Sequence, residues 1–232
     1  MFPLHDDNPT AIKPYVTISL IAICVLVFLW QVSLGPAIQQ TILSLGVIPS
    51  VLFHIKSLSP ELVVVPPTMT ILTSMFLHGG WMHLIGNMLY LWIFGNNVED
   101  VMGHGRFILF YILCGTAAVF AQAIPDPQSD IPMVGASGAI SGVLGAYLLL
   151  YPHARILVAV PLGFYIFTTR LPAGVVLGLW FLLQLINSAF TVGEGGVAFG
   201  AHIGGFVMGM ALIPFFRRKG VRLFAPARRN RL

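Results

Sequence analysis

Charge is what this sequence lacks most. Only 9% of its 232 residues are Asp, Glu, Lys or Arg, while 57% are hydrophobic and the mean hydropathy is +0.89. A soluble globular domain carries about 25% charged residues, so this chain has too few to clothe a water-facing surface. Polar low-complexity tracts are missing as well, which excludes a disordered chain. Cysteine is nearly absent: Cys24 and Cys114 both lie inside apolar runs, so no disulfide framework is implied. The net charge of +4 comes from basic residues gathered towards the C-terminus. They form no basic face, which excludes a nucleic-acid-binding domain and nucleic acid as a partner. A membrane protein of one compact domain remains.

What the sequence has instead is long apolar runs. A bilayer core about 30 Å thick needs roughly 20 apolar residues per helix. Runs near 15–35, 82–98, 107–124, 137–151, 172–190 and 197–216 predict six transmembrane helices, an all-α bundle. The first run lacks a basic segment before it and is too long for a cleaved signal, so it reads as a retained anchor. Six spans put both termini on one side. That side collects Lys13, Arg106, Arg155, Arg170 and seven basic residues from Arg217 to Arg231, against Lys56 alone on the other. The positive-inside rule therefore predicts cytoplasmic termini. The expected layout is an N-terminal cytoplasmic segment over 1–14, a membrane domain over 15–216 and a basic cytoplasmic tail over 217–232 that touches the lipid bilayer surface. The apolar, proline-broken stretch 36–78 predicts an interfacial first external loop. Residues 152–171 read as an internal linker, because Pro161 and Gly163 interrupt its apolar stretch.

Polar residues inside spans are costly and mark functional sites. Four stand out: His83, Asn87, Ser137 and His202. The fourth run, from Ser137 to Tyr151, is too short to cross the hydrocarbon layer. Its N-terminal end should sit sunk below the external surface, with Ser137 at the floor of a wet pocket, since non-helical backbone at that depth requires a cavity or protein beside it. Gly138 and Gly142 form one GxxxG, and Gly205 and Gly209 another; such pairs let helices approach closely in lipid. His202, Gly205 and Gly209 share a helical face, so packing of the two glycine seams brings Ser137 and His202 into the geometry of a nucleophile and its base. His83 and Asn87, one turn apart, could hold a developing oxyanion.

These residues carry a family resemblance. HGGWMHLIGN (His78–Asn87), GNNVEDVMG (Gly95–Gly103), GASG (Gly135–Gly138) and AHIGGFVMG (Ala201–Gly209), in this order and on the expected helices, resemble the rhomboid family of intramembrane serine proteases. Each motif alone is weak, since GxSG occurs by chance; four in order with a six-span frame are strong, and the resemblance covers essentially residues 15–216. The resemblance implies a six-helix rhomboid-like bundle with a short fourth helix and an interfacial first loop. It implies Ser137 as nucleophile, His202 as base, and His83 and Asn87 as oxyanion donors. Gly135, Gly138, Glu99 and His78 then have structural roles near the site. It further implies single-pass transmembrane protein substrates that unwind near the outer face and enter past the fifth helix, with no cofactor and no metal. The compact frame suits a prokaryotic plasma membrane, and the oligomeric state is left open.

Two features depart from the family pattern. No Trp-Arg pair occurs between 36 and 78. Four positions after Ser137, where the family often places an aromatic that packs on the base, stands Ser141, and Tyr147 is too deep to replace it, so the residue that orients His202 is not given. A metalloprotease is a poor alternative, because no Glu lies between His78 and His83 in an HExxH pattern. An aspartyl protease lacks two intramembrane Asp residues. The remaining alternative is a catalytically silent rhomboid-like chaperone, or a transporter, that binds transmembrane segments.

Overall fold

The computed structural model describes residues 2–163, 165–190 and 197–225. Glu194 and the tail residues Arg228, Arg229 and Arg231 lie outside the described residues. In chain order the elements are β1 (Phe2–Asp6), α1 (Tyr15–Ser33), α2 (Ile38–Leu45), α3 (Pro49–Leu52), α4 (Thr70–Thr73), α5 (Trp81–Tyr90), α6 (Asn96–Met102), α7 (His104–Ala123), α8 (Ser137–Leu150), β2 (Arg155–Leu162), β3 (Tyr165–Pro172), α9 (Ala173–Phe190) and α10 (Phe199–Phe216). One π-helical stretch, Leu91–Gly95, joins α5 to α6.

Four helices, α1, α7, α9 and α10, are 18 to 20 residues long and apolar enough to cross a membrane. The continuous helical run Trp81–Met102 joins Pro60–Phe76 across a 79° bend and makes a fifth candidate when the pair counts as one span. The helix expected over 82–98 thus runs on to Met102, and Glu99 falls inside it. The expected short fourth helix is α8, 14 residues long.

Burial explains the arrangement. Eleven of the residues of α8 are buried, from Gly138 to Tyr147 and at Leu150; a helix apolar on every side belongs at the centre of a bundle. α1 and α9 bury few residues and turn large aliphatic side chains such as Leu26 and Leu183 outwards. Those two are peripheral.

At the end of the bundle that carries the N-terminus the structure departs from the expected all-helical frame. The linker over 152–171 is built as strands: β2 and β3 form an antiparallel hairpin, with Leu162 opposite Tyr165 and Arg155 opposite Pro172. Gly163, at φ +63°, supplies the left-handed turn residue. β1 adds to the free edge of β2, giving the order β1-β2-β3.

Long-range bonds lock this end. The Glu99 carboxylate, fully buried, accepts from the backbone N–H of Val16 (2.9 Å) and Thr17 (2.8 Å) and from the Thr17 hydroxyl (2.7 Å). It thereby caps the first turn of α1, where helical N–H groups have no partner of their own. Asp100 accepts from the N–H of Ala11 and Ile12. Asp6 accepts from the Tyr147 hydroxyl at 2.7 Å and from Asn97 Nδ2 at 2.9 Å. After α10, the Arg218 N–H donates to the Val101 carbonyl and the Phe224 N–H to that of Leu149.

At the opposite end, residues 34–80 form a string of short helices with Val63, Val64 and Met69 exposed. Val47 and Met133 exchange two backbone hydrogen bonds, and Ser50 and Lys56 both bond the Asp130 carboxylate. That pairing holds Asp130 below the usual carboxylate range and fixes the loop that leads into α8.

Candidate active site

The seam between α8 and α10 is made by glycine. A methyl group added at Gly205 would lie 2.0 Å from the carbonyl oxygen of Gly138, and one at Gly209 would lie 1.9 Å from that of Gly142. Gly145 meets the backbone of Phe206 in the same way. No side chain fits at these points, so the two backbones touch over two turns. The hydroxyl of Ser141 donates to the Ser137 carbonyl at 2.6 Å, which keeps the polar group of Ser141 off this apolar seam.

Ser137 opens α8 at one end of the seam, and His202 sits in the first turns of α10. Both line one cavity of about 1090 Å³, together with His83, Asn87, Trp180 and Asp126. The start of α8 has no side-chain cap, so its backbone N–H groups remain as donors at the Ser137 end.

Hydrogen bonds set the state of the polar pair on α5. The Gly79 N–H points at His83 Nδ1, 3.4 Å away. A ring nitrogen that accepts carries no proton, so the neutral ring carries it on Nε2. That edge faces Gly135: a side chain there would lie 2.7 Å from His83 Nε2 and 3.6 Å from Asn87 Nδ2. Gly135, at φ +125°, thus meets both a conformational and a steric demand for glycine. Asn87 Nδ2 is buried and has no hydrogen-bond partner among the described residues. An unmatched buried amide is costly.

His202 is held from α9. Its Nδ1 lies 2.8 Å from Gln184 Oε1, and the Trp180 indole sits over the ring with centroids 5.8 Å apart and planes inclined by 33°. Gln122 Oε1 on α7 accepts from the Ala201 N–H at 3.2 Å and so serves the first turn of α10.

The structure therefore gathers Ser137, His202, His83 and Asn87 around one cavity, with Gly135 against His83 and Asn87, and Gly138 packed on Ala118 of α7 and the Ala201 carbonyl. His78 does not line the cavity, but its ring packs edge-on against that of His83, with centroids 5.2 Å apart; Glu99 ties the far end of the Trp81–Met102 run to α1. His78 is fully buried at the turn before α5; its backbone exchanges hydrogen bonds with the Gln31 side chain of α1, and its Nδ1 faces the Phe76 carbonyl. Glu99 lies at the sheet end, bonded to α1 and to His104. Sequence reasoning passed over Gln184, Trp180, Gln122 and Gln31. The rule that selected His83 and Asn87, strong polarity inside an apolar span, would have selected the three glutamines had it been applied to amides throughout. Nothing in an isolated Trp marks it as the cover of a histidine.

Chemically, a hydroxyl, an imidazole and a set of buried donors around one cavity are the components acyl transfer requires. Similar proteins include one named as a protease. The chain is 29% identical over 198 residues to a protein named Rhomboid protease GluP of Bacillus subtilis, covering 85% of this chain and 34% of that protein. It is 31% identical over 145 residues to Rhomboid protein 1, mitochondrial, of Saccharomyces cerevisiae, covering 61% and 40%. It is also 27% identical over 199 residues to the human presenilin-associated rhomboid-like protein, mitochondrial, covering 84% and 47%. The chain thus spans between about a third and a half of the length of these relatives. The sequence model of the Rhomboid domain matches residues 67–219, the stretch that holds α5 to α10 and every cavity residue named above. An integral membrane chain with this match belongs to the rhomboid family.

Proposed function

We propose that this protein is an intramembrane serine endopeptidase that hydrolyses peptide bonds within or beside transmembrane helices through a Ser137–His202 dyad. The observation that carries the reading is the convergence of Ser137 and His202, on two helices locked by glycine, on one cavity with His83 and Asn87. His202 Nε2 takes the Ser137 proton while Oγ attacks the scissile carbonyl. The oxyanion that forms is held by Asn87 Nδ2, His83 Nε2–H and the N–H groups at the start of α8. The protonated base then gives its proton to the leaving amine, and water, activated by the same nitrogen, releases the acyl group. A dyad is proposed because the partner of His202 Nδ1 is a neutral amide, while Asp130 is taken up by Lys56 and Ser50.

On this reading the frame has six spans, with α5 to α6 as the second and the short α8 as the fourth, and residues 36–78 lie in the membrane interface. The distribution of Lys and Arg supports cytoplasmic termini, which puts the cavity mouth on the outer side; the membrane is a prokaryotic plasma membrane. The substrates are single-pass proteins whose helix unwinds at that depth, because a helix hides the carbonyl the serine must reach. The test is incubation of the purified protein in detergent with labelled transmembrane substrates. Wild type is expected to cleave them, and Ser137→Ala and His202→Ala to lose cleavage. Binding of substrate without cleavage by the wild type would instead favour a silent chaperone.

A further inference from the structure

We infer that Gln184 is the positioning residue for His202: it holds the imidazole as the Nδ1–H tautomer and leaves the Nε2 lone pair for Ser137. The inference rests on reading His202 as the base. Its argument begins with the cost of a polar amide on α9. Gln184 is 8% exposed in a helix that carries no charged residue, so both ends of its amide must find partners. Nε2 lies 3.2 Å from the Trp180 carbonyl oxygen one turn back. A carbonyl only accepts, so the NH2 group faces it and Oε1 faces the ring, 2.8 Å from Nδ1. Oε1 in turn only accepts, which places the proton on Nδ1; in a neutral imidazole the other nitrogen is then bare. Trp180 fixes the orientation of the amide through its carbonyl and covers the ring with its indole. Two residues one turn apart on α9 thus determine the tautomer and the tilt of a histidine on α10.

A neutral amide does this work at lower cost than a carboxylate, whose burial without further donors is expensive. It also leaves the ring less basic than a carboxylate partner would. Among the described residues the other titratable groups on the cavity are His83 and Tyr90 of α5 and Asp126 of the loop before α8.

The experiment reads the rate at which a fluorophosphonate labels Ser137 across pH, in detergent, for wild type, Gln184→Met and Gln184→Glu. This small probe needs no transmembrane substrate, so the rate reports on the dyad. Gln184→Met keeps the volume and loses the acceptor; labelling is expected to slow about tenfold to a hundredfold. Gln184→Glu restores the acceptor; labelling is expected to return to near the wild-type rate at alkaline pH, with the acid limb displaced upwards by about one pH unit or more. A merely structural glutamine would move neither the limb nor the rescue. Nitrogen NMR of histidine-labelled wild type, with His202 assigned by its loss in His202→Ala, should find Nε2 unprotonated. Labelling of Gln184→Met at the wild-type rate and pH midpoint, or a wild-type His202 protonated on Nε2, overturns the inference. If Gln184→Met does not fold, the wild-type tautomer decides alone. If His202→Ala labels as fast as wild type, the base reading itself has failed; if it does not label while Gln184→Met is unaffected, only the role of Gln184 has.

Discussion

Asn87 is the residue whose surroundings ask most directly for a ligand. Its Nδ2 is buried and has no hydrogen-bond partner among the described residues, beside a glycine that leaves the space open. His83, one turn earlier, is turned so that its Nε2 edge faces the same space. If these donors stabilise charge that develops only during reaction, Asn87→Ala and His83→Ala should each lower kcat about 10²–10³-fold with little change in KM. Turnover of a labelled transmembrane substrate checks this, and an equal rise in KM with kcat intact would assign them to substrate binding. These residues were legible in the sequence because His and Asn are costly in an apolar span. Gln184 is equally polar, but no motif surrounds it. Its partner lies 18 positions away on the next helix, and the stretch between them offers no pattern by which to align the two faces.

Among elements, α8 and α10 are the pair on which the site depends, and glycine spacing alone foretold their contact. The interlock is tight enough to be tested by one methyl group. Gly209→Ala would drive Cβ to 1.9 Å from the Gly142 carbonyl oxygen, where both neighbours are backbone and cannot swing aside. The expected loss is about 1–3 kcal/mol, as for overpacked cores, seen as a lower unfolding midpoint in detergent. Gly178→Ala on α9 meets nothing within 4 Å and should be neutral, or stabilising by up to about 1 kcal/mol from helix propensity. The helices of the membrane region were readable from apolar run length to within a few residues. The hairpin of β2 and β3 was not. Its strands are short apolar runs that a linker in the interface could equally contain, and Pro161 and Gly163, taken as interruptions, mark the end of one strand and the turn. Pairing with β1, more than 150 positions away by the register of Phe2 with Ala159, leaves no local trace.

For the molecule as a whole, the polar knot at the sheet end sets a dependence on acidity. Burial pushes the Asp6 carboxyl up to about 6, against the opposing hydrogen bond from Tyr147. The folded protein therefore holds a proton there that the unfolded chain, with a carboxyl near 3.8, gives up. This contribution to stability is full below pH 3.8 and is lost as pH rises through about 6. Asp6→Asn keeps an acceptor for Tyr147 and sheds the charge. The difference in unfolding free energy between Asp6→Asn and wild type should be small near pH 4, grow through pH 6 and level off above it, reaching at most about 3 kcal/mol. A difference that is flat across this range would show that Asp6 does not titrate there.

The same knot constrains how the chain is made. Synthesis delivers the N-terminus first, yet Phe2–Asp6 has no strand to join until Arg155–Leu162 has left the ribosome, and Val16 and Thr17 have no carboxylate until Glu99 follows. The first helix must enter the bilayer with its leading amides bare. The segment Phe2–Asp6 is thus among the last to find its seat, and a nascent chain halted short of the hairpin would hold every atom of β1 and none of its sheet.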